Sequence, residues 1–108
     1  MLTFLLALAA PPSTHTVELT GHRFTLPAGF AVERLATPPD LRFPVAAAFD
    51  DAGHLYVTEA SGTNDNVQKQ AKDRPHRVWL LPAGQPDRGE VFADKLMLPQ
   101  GVMWHDGA

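Results

Sequence analysis

Few residues of this sequence have side chains suited to chemistry, and most lie in one polar stretch and at its margins. Glu59 closes the run "HLYVTE", where a carboxylate could accept hydrogen bonds from hydroxyls or hold a cation; a solvated strand-end acid is the plainer reading. "TNDN" (63–66) gathers oxygen donors of the kind calcium takes, but lacks the alternating spacing of an EF-hand loop. Lys69, Lys72, Arg74 and Arg77 could neutralise an anionic ligand, although such runs more often keep a loop soluble. Gln100 carries an amide that donates and accepts without titrating, or it is an ordinary turn residue before a strand. The five histidines (His15, His22, His54, His76, His105) are scattered, with no pair at metal-ligand spacing, and none is nominated as a general base. Cysteine is absent, which removes disulfides, thiolate metal sites, a cysteine nucleophile and haem attachment. No catalytic residue and no metal ligand is assigned.

The bulk properties narrow the partners. A hydrophobic content of 44% with 19% charged residues is that of a globular chain. The formal charge of −3 comes without a dense basic cluster, which sets nucleic acid aside. "MLTFLLALAA" resembles the apolar core and Ala-x-Ala cleavage site of a secretory signal, short and without its usual Lys or Arg. It is too short to span a bilayer as a helix. Residues 1–9 are therefore expected to be a signal peptide, residues 10–23 a linker or N-terminal strand, and the destination periplasmic or secreted. The alternative is a start codon placed slightly inside the true gene.

Ten prolines and eight glycines leave no room for a long helix and favour short strands joined by turns. Strands are expected around Val17–Leu19, at Phe30–Leu35 after the turn Pro27-Ala28-Gly29, at "VAAAFD", at "HLYVTEA", at "RVWLLPAG" and at "GEVFADKL". "VAAAFD" and "RVWLL" are apolar on both faces, which implies cover on both sides. Residues 60–76 are polar, without a consistent apolar period, and long for a loop.

"LPQGVMWHDGA" repeats an earlier phrase. Setting Pro44 on Pro99 puts Phe49 on Trp104 and Asp51 on Asp106; Gly53 meets Gly107 after a one-residue deletion in the turn. Four short antiparallel strands followed by a restart describe one blade of a β-propeller. Chance similarity between two hairpins is the competing explanation. Without neighbours over Phe49, Leu55, Val57, Trp79 and Leu80, roughly 1.5–3 kcal/mol of burial is lost at each. The total, about 10 kcal/mol, is comparable to the roughly 5–15 kcal/mol net stability of a domain. The expected fold is all-β: the first blade (about 30–98) and the start of the second (from about 99) of a propeller, a fragment of a larger ring.

The order "FTLPAGFAVERLATPPDLRFPVAAAFDDAGHLYVTEA", "RVWLLPAG", "GEVFADKLMLPQGVMWHDGA" resembles the N-terminal part of propeller proteins of the glucose/sorbosone dehydrogenase type, including the planctomycete-type membrane-bound dehydrogenases. It covers Phe24 to Ala108. The combined order is distinctive, while each phrase alone also occurs in NHL-type and lactonase-type propellers. The resemblance implies a six-bladed propeller, export, and pyrroloquinoline quinone (PQQ) with calcium in the full-length protein. It also implies a sugar or aldehyde substrate and, in many relatives, a cytochrome c domain as electron acceptor.

In such propellers the loops 60–76 and 94–100 open on one rim, so Glu59, Asn64, Asp65, Arg74 and Gln100 become candidates for one mouth of the central channel. Gln100 resembles a glutamine that contacts the quinone or substrate region in soluble glucose dehydrogenases, although many relatives carry Thr or Asn there. Gln100, Glu59 and Arg74 are the cofactor-binding candidates. The expected function is an N-terminal fragment of an exported quinone-dependent sugar or aldehyde dehydrogenase, inactive alone. The alternatives are a non-catalytic NHL-like binding or scaffold module and a calcium-dependent lactonase-like hydrolase.

Overall fold

The computed structural model describes residues 10–36 and 41–108, so the expected leader at 1–9 lies outside the described residues. The described chain is mostly β, with six strands in two antiparallel sheets and one short helix. It divides into two units between Arg34 and Leu35.

The first unit is a hairpin of β1 (Thr14–Leu19) and β2 (His22–Pro27). Leu19 pairs with His22, leaving Thr20-Gly21 as a two-residue turn with φ of 54° and 79°. Positive φ at both positions matches the right-handed twist of the strands. Phe30–Leu35, expected as a strand, is not one. The Phe30 N–H is drawn into the turn, donating to the Pro27 carbonyl at 3.2 Å, and among the described residues no strand lies beside 30–35 to complete a ladder. The alternating segment His22–Pro27 pairs instead.

The second unit is a four-stranded meander in the order β3 (Pro44–Phe49), β4 (Leu55–Glu59), β5 (His76–Leu81), β6 (Glu90–Leu96). Register sorts its side chains onto two faces. Phe49, Leu55 and Leu81 align on one, with Ala47, Val57, Trp79 and Val91; Ala48, Tyr56 and Leu80 align on the other. The core sits on the two central strands, at Val57, Thr58, Val78 and Leu81. A β-bulge at Val45, between the paired residues Pro44 and Ala46, disturbs the ladder, and the fully buried side chain of Thr58, opposite Ala46, repairs it. The Thr58 hydroxyl accepts from the Ala46 N–H at 3.0 Å and donates to the Ala46 carbonyl at 3.3 Å.

Both copies of the repeated phrase close as hairpin turns. Asp50 donates its N–H to the His54 carbonyl at 3.0 Å across a three-residue loop with Gly53 at φ 83°. The Asp50 side chain braces that loop by accepting from the Ala52 and His54 N–H groups, each at 2.9 Å. In the later copy, His105 and Ala108 exchange both backbone hydrogen bonds, at 2.8 and 2.9 Å, around Asp106-Gly107, each at positive φ. The one-residue deletion thus converts a three-residue loop into a two-residue one while the closing pair is kept.

The segment before that second turn lies on the sheet. Trp104 stacks on Tyr56 with ring centroids 6.1 Å apart, and Phe92 meets Tyr56 edge-on at 5.0 Å. Burial, then the charge and hydrogen bond of Asp50, push the Tyr56 phenol above its ordinary pKa. The opposite face has no aromatic cover of that kind: Val57 and Leu81 are buried there, but its outer strands stay open. Phe49, the repeat counterpart of Trp104, is 61% exposed, and Val45 and Val91 are exposed as well.

Thr58→Val keeps the side-chain shape but strands two Ala46 backbone groups, with an expected loss of about 1–3 kcal/mol. Thr58→Ser keeps the hydroxyl and should cost about 1 kcal/mol or less, from the lost methyl. Urea unfolding midpoints compare the two variants; equal losses would remove the bulge-repair role.

Candidate functional site

The antiparallel order brings the start of β3, the end of β4, the start of β5 and the end of β6 to one edge of the sheet. Glu59, the last residue of β4, faces Arg77 across the ladder. It is not a free acceptor. Buried to 6% exposure, it takes the Arg42 N–H at 2.8 Å on Oε1 and the Trp79 indole N–H at 2.7 Å on Oε2, which also meets Arg77 Nε at 3.1 Å. The Arg77 guanidinium lies 5.5 Å from the centre of the Trp79 ring. Cross-strand register therefore makes Glu59 an anchor that aims an arginine. Its charge is spent within the fold.

The polar stretch 60–76 is more ordered than its sequence suggests. Residues Val67–Asp73 form a seven-residue helix, α1, capped by the Asn66 side chain accepting from the Lys69 N–H at 2.9 Å. Gln70 on this helix accepts from His76, Nε2 to Oε1 at 3.0 Å, while Ser61 N–H donates to His76 Nδ1 at 3.1 Å. Because Nδ1 accepts, the proton of the neutral ring sits on Nε2 and points at Gln70. His76 is 2% exposed and ties both ends of the loop to β5. At the near end, Gly62 adopts φ 72° with the Phe43 ring packed where a Cβ would stand.

The oxygen cluster in "TNDN" is internally consumed. Asp65 Oδ2 accepts from Thr63 Oγ1 at 2.9 Å and from Lys69 Nζ at 3.1 Å, and Lys69 also pairs with Asp73 at 2.9 Å. These bonds, from Lys69 and then Thr63, hold the Asp65 carboxyl below the usual carboxylate range, while Asp73 and Asp65 push Lys69 up. Among the described residues no three His, Asp or Glu side chains converge as metal ligands.

Two cavities flank Arg77. One, about 390 Å³, is lined by Arg42, Phe43, Glu59 and Ser61; the other, about 310 Å³, by Arg74, Val91, Asp94 and Lys95; Pro75 and Arg77 belong to both. The structure thus brings Glu59 and Arg74 to the two sides of one arginine. Gln100 is exposed, four residues past the end of β6, and lines neither cavity. The sequence reading passed over Arg42, Trp79 and Lys95. Arg42 acts through its backbone and Trp79 through strand register, signals that no motif carries. Lys95 was in sight as a cation at the end of a strand.

Fold and edge together define a mostly-β protein built on an antiparallel meander, with a cation-rich cleft at one strand-end edge. Residues 16–108 match the family described as "Domain of unknown function (DUF7133)", and the chain belongs to that family. No curated protein and no solved structure matches it. Among the described residues no helix is long and apolar enough to cross a membrane.

Glu59→Gln removes the charge opposite Arg77 and sets an NH2 against one of the present donors, with an expected loss of about 1.5–3 kcal/mol in denaturant unfolding. A loss below about 0.5 kcal/mol would mean the anchor is dispensable. Asp65 should titrate below its unfolded value of about 3.9, so its contribution to holding the loop is complete above that value and is lost as pH falls through the lowered folded one. Carboxyl NMR titration checks this, and Lys69→Met should move the midpoint upward.

Proposed function

We propose that this chain is a wedge of a β-propeller of the glucose/sorbosone dehydrogenase type, working within an exported quinone-dependent sugar or aldehyde dehydrogenase. The carrying observation is the second hairpin turn: Trp104, the repeat counterpart of Phe49, lies on the Tyr56 and Phe92 face just before the closing His105–Ala108 pair. That is how the inner strand of a following blade would meet the blade before it. The uncovered face around Phe49 would take the preceding member of the ring by the same contact.

In this reading the wedge builds the wall of a site whose reacting groups come from elsewhere in the assembled propeller. PQQ would supply hydride-accepting chemistry there. Arg74 and Arg77, at one edge of the sheet, have the charge to meet its carboxylates. Calcium does not fit the residues of this chain: the Asp65 carboxylate is engaged by Lys69 and Thr63, and Glu59 by Arg77 and Trp79. A non-catalytic scaffold is the second reading, favoured by the structural use of both Glu59 oxygens.

The chain by itself should turn over no substrate. The protein extended by its adjoining coding sequence, supplied with PQQ and calcium, should reduce an artificial dye with a sugar or aldehyde as donor. No dye reduction across a broad panel, with a folded protein, would rule out the dehydrogenase reading and leave the scaffold.

A further inference from the structure

We propose that the cleft between Arg74, Arg77 and Lys95 binds the anionic oxygen group, carboxylate or phosphate, of a small molecule. This site shares Arg74 and Arg77 with the quinone reading, but it rests on the geometry of this edge and needs no quinone.

Three observations converge. First, three cations line the 310 Å³ cavity against a single carboxylate, Asp94, in a chain whose formal charge is −3. Among the described residues Arg74, Lys95 and Asp94 form no ion pair, so local positive charge is not cancelled there. His76 offers the cleft no free N–H, since its two ring nitrogens are engaged by Ser61 and Gln70.

Second, Arg77 is already oriented. Its Nε is held by the buried Glu59 and its plane lies over Trp79, while the side chain stays 44% exposed. The remaining guanidinium N–H groups are thereby fixed before a ligand arrives, which lowers the ordering cost of a two-point contact with a carboxylate or phosphate.

Third, both flanking cations sit where the backbone prefers glycine. Arg74, which caps α1, has φ 45° and Lys95 has φ 54°. The left-handed region disfavours any residue with a Cβ, so these two positions carry long cationic side chains against the backbone preference. The Arg74 N–H caps the helix by donating to the Gln70 carbonyl at 2.8 Å, a bond that glycine would make equally well. The cap does not explain the arginine. A ligand at the cleft would.

Amide NMR titrations of the 108-residue chain with sodium phosphate and with sodium gluconate, at constant ionic strength set by chloride, test the site, with glucose as the neutral control. Saturable shifts at Arg74, Arg77 and Lys95, half-complete at or below about 10 mM, are expected with at least one of the two anions. A response to phosphate alone identifies a phosphate ligand, and to gluconate alone a carboxylate. The double variant Arg74→Gly/Lys95→Gly should bind about tenfold or more weakly while its melting temperature holds or rises, since glycine suits both backbone positions. No saturable shift by about 100 mM in the parent chain would overturn the proposal. So would an equal response to glucose, or unchanged affinity in the double variant.

Discussion

The structure depends on one constraint: the meander is apolar on both faces, and its own chain covers each of them only in part. β4 sits at the centre of the problem. Val57, Thr58 and Glu59 are all buried, yet two of the three are polar and need partners. Thr58 finds them in the bulged backbone of β3, and Glu59 in Arg42, Trp79 and Arg77. Every buried polar group on this strand thus joins it to a neighbour. Outside that tie, Phe49 on one face and Phe92 on the other stand exposed, a pattern suited to a unit pressed between others.

The same tie shapes the edge where chemistry would occur. A carboxylate buried beside an arginine and an indole cannot also serve as a free ligand without losing what it holds. The useful consequence falls on Arg77, which is fixed and half exposed between two cavities. The cations left to the proposed site at this edge are therefore Arg74, Arg77 and Lys95. Glu59 and Trp79 act as their support. The helix α1 and His76 close the loop beside them, so the mouth is bounded by ordered backbone despite its polar sequence.

What the sequence made legible follows from local physics. The four strands of the meander could be read because apolar runs were separated by an Asp-Gly turn, a polar stretch and a Pro- and Gly-rich connection, and the repeated phrase did close twice as a turn. The hairpin strand His22–Pro27 was missed because a Thr-Gly turn is a weaker signal than Asn-Gly, and Phe30–Leu35 had the right composition but no partner. The helix 67–73 has no buried residue, hence no apolar period; its one local signal was Asn66 at the cap. The role of Glu59 was hidden for another reason. Its partners are 17, 18 and 20 residues distant and meet only through strand register.

The most direct measurement is sedimentation velocity on the purified chain across about 5–500 μM, with Phe49→Glu in parallel. If the uncovered face belongs against a neighbour, the chain should associate as its concentration rises, and the charged variant should shift toward monomer. A single monomeric species across the whole range, identical in the two proteins, would contradict the account.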